Sequence, residues 1–193
     1  GNSGMSLVPY MYLGAKHMVT GYDHLLFLCG VIFFLYRMKD VALYVTLFAV
    51  GHSTTLLLGV LNSWHVNPYG VDAIIGLSIV YRAIDNLGGF KTLLGFQPNK
   101  KAAVLIFGFF HGFGLATKLQ DFSMSKEGLI ANMVAFNVGV EVGQLLALGM
   151  ILVLMGYWRS TAGFMRHAVA SNVALMAAGF ILAGYQFTGY LTV

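Results

Sequence analysis

The sequence predicts an all-α integral membrane protein built as a bundle of about six transmembrane helices. Of the 193 residues, 58% are hydrophobic and only 9% are charged, and the mean hydropathy is +0.77. A soluble globular domain carries about 25% charged residues, so this composition excludes a soluble fold. A spanning helix needs roughly 20 apolar residues, which leaves room for about six spans joined by short loops.

Each predicted helix is bounded by charged or turn-forming residues. The first ends at the charged run 37–40, the second at the turn-like stretch 62–68, the third at the glycines of 88–89, and the fourth at 118–127. The apolar stretches are too long and too uniform for the alternating strands of a membrane barrel. The predicted helices span 9–36, 41–61, 69–87, 102–117, 128–158 and 163–191.

The domain organisation is predicted to be simple. Residues 1–4, which precede Met5, resemble a remnant of cloning and are set aside. Residues 5–193 are predicted to form a single transmembrane domain, because no stretch of soluble composition is long enough to form a second one.

Lysine and arginine are distributed unevenly between the predicted loops. By the positive-inside rule, the distribution predicts a multi-pass protein of the bacterial inner membrane with both termini outside. The net charge of +4 is explained by these loops, so a nucleic-acid surface is not expected. The predicted cytoplasmic side carries Arg37, Lys39, Lys91, Lys100, Lys101 and Arg159, and the opposite side carries Lys16, Lys118 and Lys126.

Four of the six histidines lie inside apolar stretches. They are His17, His24, His52 and His111, and Asp23 accompanies them. An ionisable group in hydrocarbon costs several kcal/mol unless it is paired or bound to a metal. Imidazole together with carboxylate suits a borderline divalent transition metal. The sequence therefore predicts a metal site inside the membrane.

The spacing of the first two histidines raises a geometric problem. His17 and His24 share one face of a helix but are separated by about 10 Å of axial rise, which is too far for one ion. Three solutions stay open: the helix is distorted near Gly21, two metal sites exist, or one histidine contacts a metal ligand without binding the ion itself. Asp23 could orient a neighbouring imidazole through its other ring nitrogen.

A polar stripe on the fifth predicted helix suggests further site residues. Asn137, Glu141 and Gln144 follow one another at i, i+4 and i+7, which places them near one face that we expect to point inward. Glu141 is predicted to be a buried carboxylate and a metal ligand, supported by Asn137 and Gln144. Polar residues of four helices lie about 9 to 20 Å below the predicted outer helix ends, a shared depth that scattered structural residues would not produce.

Two more residues are predicted to support the site. Asp72 is near the outer mouth and is expected to attract cations, and Ser53 follows His52 directly. The complete predicted ligand set is His17, Asp23, His24, His52, His111 and Glu141. An alternative function is an intramembrane zinc-dependent hydrolase, in which histidines, an aspartate and a serine such as Ser53 hold zinc with one open position for an activated water.

Glycines inside the predicted helices are interpreted as packing residues. Small residues four apart allow helix backbones to approach closely in a membrane. The fourth and fifth predicted helices carry such glycines at Gly108, Gly112 and Gly114 and at Gly139 and Gly143.

Four sequence blocks resemble the HupE/UreJ family of membrane proteins, in the expected order and over nearly the whole chain. Met18 stands where the better-studied nickel permeases of that family have proline, so the chain looks closer to a second branch. The blocks are Gly14–Leu28 with its histidines and aspartate, Gly51–Leu56, His111–Ala116 and Phe136–Gln144.

The resemblance implies a protein of six to eight helices linked to nickel or cobalt uptake for hydrogenases and ureases. Together with the histidines, it predicts a metal-binding protein that acts as a metal permease. Nickel is the favoured ion, and cobalt, zinc and copper are alternatives. The expected partners are the metal ion and the lipid bilayer, and a homo-oligomer is left open.

Overall fold

The computed structural model describes residues 6–121 and 127–193, and no strand occurs in these two ranges. The predicted all-α fold is therefore confirmed. The residues set aside at 1–4 and the predicted loop charge Lys126 lie outside the described ranges. The helices are α1 (Leu7–Thr20), α2 (Tyr22–Ile32), α3 (Met38–Leu61), α4 (Pro68–Asn86), α5 (Gly89–Leu94), α6 (Lys100–Gln120), α7 (Leu129–Arg159) and α8 (Gly163–Thr192).

The long helices pack as three close pairs, α1 with α7, α3 with α6 and α4 with α8. Helix α2 lies among the pairs and packs mainly against α4. We call the end of the bundle at which α3 and α6 finish and α4 and α7 begin the upper end, and the opposite end the lower end. The pairs meet around α2, so this helix lies where the bundle can build a shared site.

Glycines let the backbones of two of these pairs approach closely. A Cβ at Gly108 would lie 2.7 Å from the Phe48 carbonyl oxygen of α3, and one at Gly143 would lie 2.6 Å from the Ala15 carbonyl oxygen of α1. Real Cβ atoms are not found so near another backbone, so only glycine fits at these contacts. The predicted packing role of the glycines is confirmed at these positions.

The first predicted helix, 9–36, is not continuous. It is broken at Gly21, whose φ of −76° and ψ of 103° are extended rather than helical. The amide of Ser6, just before α1, donates to Asn132 at the upper end. The carbonyl of Leu35, just after α2, accepts from Arg159 at the lower end. Helices α1 and α2 therefore follow one another from the upper end to the lower end.

Four of the described helices are long and apolar enough to cross a membrane: α3, α6, α7 and α8. Helices α1 and α2 have 14 and 11 residues, and each is too short to span a membrane alone. Helix α4 has 19 residues but carries Asp72, Arg82 and Asp85. The membrane character of the chain is confirmed, whereas the six predicted spans stay a prediction.

The charges of α4 near the lower end are neutralised inside the bundle. Arg82 donates to Asp85 at 2.7 Å, and both side chains are buried. Asp85 also accepts from Gln97 at 2.8 Å, and Asn86 donates to the Gly30 carbonyl of α2 at 2.9 Å. A buried ion pair is tolerated when its remaining polar atoms are satisfied in this way. This network fixes α2 against α4.

Candidate metal centre

Four histidine side chains meet where α1, α2, α3 and α6 come together. His24 is central: its Nε2 is 2.8 Å from Nε2 of His17, and its Nδ1 is 2.7 Å from Nδ1 of His111. The ring of His52 lies with its centroid 5.8 Å from that of His24. We call these four residues the histidine cluster. The structure thus brings together all four histidines that the sequence singled out.

The cluster is buried and carries ring nitrogens without partners. His24, His52 and His111 are at most 3% exposed, and His17 is half-buried. Within the described residues, neither nitrogen of His52 has a hydrogen-bond partner, and neither does Nε2 of His111. A buried polar atom without a partner costs about 1–3 kcal/mol. The protein tolerates this cost at three neighbouring nitrogens. Such a set is expected where the nitrogens bind a ligand.

The donor spacing suits one metal ion. One nitrogen from each of His17, His24 and His52 can be chosen so that all lie within 4.8 Å of one another. Nitrogens bound tetrahedrally to one ion at 2.0–2.1 Å are roughly 3.3 Å apart, so the three nitrogens would have to draw closer by up to about 1.5 Å. Coordination also requires free lone pairs, so an ion would replace the protons now shared between neighbouring rings.

The break at Gly21 resolves the 10 Å problem that the sequence posed. Because the chain leaves the helix there, His17 on α1 and His24 on α2 turn toward each other. A Cβ at position 21 would lie 3.0 Å from the His17 carbonyl oxygen and 3.3 Å from the His24 ring. Of the three solutions left open, the structure selects distortion of the helix.

Asp23 is at the edge of the cluster rather than among the nitrogens. Its carboxylate accepts from the backbone amide of His24 at 2.9 Å and lies 3.6 Å from Nδ1 of that ring. The side chain is 32% exposed. Asp23 therefore steadies His24 and presents negative charge to the cavity beside the cluster.

A cavity of about 380 Å³ approaches the cluster from the upper half of the bundle. We call it the vestibule; its lining includes His17, Asp23, Asp72, Lys118 and Gln186. A gap of only about 10 Å³, lined by members of the cluster and by Asp72, lies next to it. Such a gap is too small for more than about one water molecule. The predicted position of Asp72 at the mouth is consistent with this geometry.

The cluster is closed on its lower side by phenylalanines. Phe27 and Phe48 are fully buried, with ring centroids 5.4 Å and 5.0 Å from that of His111. Phe107 lies 5.8 Å from Phe27. We call these three rings the aromatic floor. Each lies one helical turn below a histidine of its own helix, so the floor separates the cluster from the lower end.

Glu141 requires a correction. The sequence predicted a buried carboxylate at the metal, but the side chain is exposed and lines a groove of about 230 Å³ between α3 and α7. Gln144 is buried beside the same groove, and Asn137 donates to the Met133 carbonyl of its own helix. The structure does not bring these three residues to the histidine cluster.

Ser53 is half-buried next to His52 on α3. Its hydroxyl makes no hydrogen bond to any part of the chain that the structure describes. The zinc-hydrolase alternative, in which a serine such as Ser53 helps to hold the metal, stays a prediction.

Two features of the site were missed by the sequence reasoning. Lys118, counted only as a loop charge, bonds to Asp72 in the vestibule. The aromatic floor was also missed, although its signal was available. Phe27 follows His24 by three residues, and Phe48 precedes His52 by four. Residues three or four apart in a helix are neighbours, so each spacing predicts a phenylalanine next to a histidine.

Comparison with known proteins gives one match. A family model described as HupE / UreJ protein matches residues 1–193, the whole chain. No curated protein and no solved structure is significantly similar to the chain.

Proposed function

The chain belongs to the HupE / UreJ family, and from this membership and the histidine cluster we propose that it binds a divalent transition metal within the membrane and conducts it across. The observation that carries the proposal is the convergence of four histidines from four helices, where three ring nitrogens have no partner in the part of the chain that the structure describes. The family is linked to nickel and metal transport, and nickel is the favoured substrate.

The ligands in this proposal are His17, His24 and His52, whose nitrogens converge, and His111, which faces the other ring nitrogen of His24 and must turn toward the ion to join them. Asp23 acts on the cluster by holding His24 and by adding negative charge at its edge. Neutral imidazoles bind nickel, cobalt, zinc and copper, so the donor set supports these four ions over magnesium or calcium, which prefer oxygen ligands.

Transport is supported by the asymmetry of the surroundings. The vestibule approaches the cluster from one side, and the aromatic floor closes the other. A helix broken at the binding site is typical of transporters, because the break presents backbone groups and side chains in mid-membrane. We take α1 and α2 together as one broken crossing, which with α3, α4, α6, α7 and α8 makes six.

The experiment that tests this function uses the full chain purified in detergent. After incubation with Ni²⁺ and removal of free metal, elemental analysis should find close to one nickel per chain, and proteoliposomes should accumulate Ni²⁺. Retention without accumulation would reject conduction, and retention of no transition metal would reject the proposal as a whole.

We further propose that the protein lies in the bacterial inner membrane with the upper end outside. The positive residues Arg37, Lys91 and Arg159 lie at the lower end, which supports this orientation by the positive-inside rule. Both chain ends lie at the upper end, since Ser6 bonds to Asn132 and Gly70 lies beside Tyr190.

Cysteine labelling tests the orientation. In a Cys29→Ser background, His65→Cys in the upper loop should react with an impermeant maleimide in spheroplasts. Thr92→Cys, exposed on α5 at the lower end, should react only after permeabilisation. The reverse pattern would show that the lower end faces outward.

A further inference from the structure

Lys118 lies where three cavities meet. Its side chain lines the vestibule, the narrow gap beside the cluster and a third cavity, and His17 lines the same three. The Lys118 ammonium is 3.0 Å and 3.2 Å from the two carboxylate oxygens of Asp72. Asp72 also lines the vestibule and the gap. A cation moving from the vestibule to the histidines therefore meets two carboxylates, Asp23 and Asp72, and the carboxylate of Asp72 already has a positive charge beside it.

The ion pair between Lys118 and Asp72 has one exposed and one largely buried partner. The Lys118 side chain is 48% exposed, whereas that of Asp72 is 14% exposed. Water reaches the ammonium, which screens this pair more than a fully buried one. The ammonium can therefore be replaced when another cation binds the carboxylate, because Asp72 is then not left unpaired.

We propose that Lys118 is a tethered cation that occupies Asp72 until a divalent metal ion displaces it, and so selects divalent over monovalent ions. This inference rests on the proposed metal-binding function. Attraction to a carboxylate scales with the charge of the ion, so Na⁺ or K⁺ is attracted to Asp72 no more strongly than the ammonium of Lys118 is. The tether also holds the ammonium at a high effective concentration. A divalent ion brings twice the charge and then reaches neutral imidazoles that bind it.

The structure provides space for the displaced side chain. The third cavity has a volume of about 460 Å³ and shares His17 and Lys118 with the vestibule but not Asp72. Its lining also includes Tyr10, Leu13 and Phe136. A lysine packs its four-carbon chain on apolar surface while its charged end remains near water. Lys118 can therefore leave Asp72 without leaving the mouth of the site.

The test measures nickel loading of the purified full chain, with Ni²⁺ alone as the probe and a chromophoric chelator as competitor. Each measurement is made at one ionic strength in choline chloride and in sodium chloride. Lys118→Met removes the charge but keeps an unbranched side chain, and it should load Ni²⁺ roughly tenfold faster in choline chloride, a modest electrostatic effect on association. Sodium should then slow loading of this variant but not of the parent.

Two control variants isolate the effect. Lys118→Arg keeps the tethered charge and should behave as the parent does. Lys16→Met removes one positive charge from an exposed position on α1 and should not acquire sodium sensitivity. Equal behaviour of Lys16→Met and Lys118→Met, or no sodium effect on Lys118→Met, would overturn the inference. If the parent itself fails to bind Ni²⁺, the proposed function fails instead.

Discussion

Replacing His24 by alanine should abolish nearly all nickel retention, with a loss of affinity of at least about 100-fold. This ring is the only one that contacts two other histidines through its nitrogens, at 2.8 Å and 2.7 Å, within the part of the chain described here. Its removal takes away one ligand and also the contact that positions His17 and His111. Even loss of an outer partner of a metal site costs about 10- to 100-fold in affinity.

The histidines should also act as one unit. Groups that bind a single ion are strongly coupled, so a second alanine should add little to the first. His24→Ala combined with His52→Ala should therefore bind nickel about as weakly as either single variant. His65→Ala and His167→Ala alter exposed histidines outside the cluster and should retain the parent's nickel. Additive losses would show that the histidines form separate sites.

His52→Leu separates the metal role from a structural one. Both ring nitrogens of His52 are buried and find no partner among residues 6–121 and 127–193, so an apolar side chain of similar size removes a polar burial cost of about 1–3 kcal/mol. The metal-free variant should melt at or above the temperature of the parent. Added nickel should raise the melting temperature of the parent by binding the folded state but leave the variant unchanged. A lower melting temperature without metal would indicate a structural role for His52.

The membrane class and the depth of the histidines were predictable from sequence because both follow from local composition. Hydropathy places a residue along the membrane normal, and three apolar stretches placed His17, His52 and His111 at similar depth. The break at Gly21 was only one of three options, because a lone glycine is tolerated within a helix as well as at its end. The contact across the break, His17 to His24, decides between the options.

The face of a helix that points inward was harder to predict, and Glu141 shows why. Gly139 and Gly143 pack against the α1 backbone at Met11 and Ala15. Glu141 is two residues from each glycine, which is about 200° around the helix, so it faces away from α1. The glycine face and the polar stripe could not both point to the same neighbour. Hydropathy alone does not show whether the glycine face or the polar stripe of α7 packs against α1, since it carries no information on which helices are neighbours.

Lys118 was missed for a related reason. A lysine near a helix end is usually a solvated charge, and its pairing with Asp72 depends on two residues 46 positions apart. Such a contact follows from the packing of α6 against α4, which the sequence pattern did not predict.

Gly112→Ala should destabilise the bundle and weaken nickel binding together. A Cβ at this position would overlap the Thr55 hydroxyl and the His52 carbonyl of α3, so α6 would have to move away from α3. Overpacking of this kind typically costs about 1–3 kcal/mol. Because the contact is with His52 itself and the substitution is next to His111, the same movement separates two of the four proposed ligands.

The matched control is Gly149→Ala on α7, where no described residue beyond the neighbouring backbone of the same helix lies within 4 Å of the added Cβ. Alanine favours a helix over glycine by about 1 kcal/mol, so this variant should melt at or slightly above the parent and bind nickel equally. Thermal melting in detergent and nickel titration, applied to both variants, measure the two effects side by side. If Gly112→Ala melts like the parent and binds nickel normally, α3 and α6 are not in backbone contact at His52. If it is destabilised yet binds nickel with parental affinity, the spacing of His52 and His111 does not determine the site, and the ion is held by His17 and His24 with other partners.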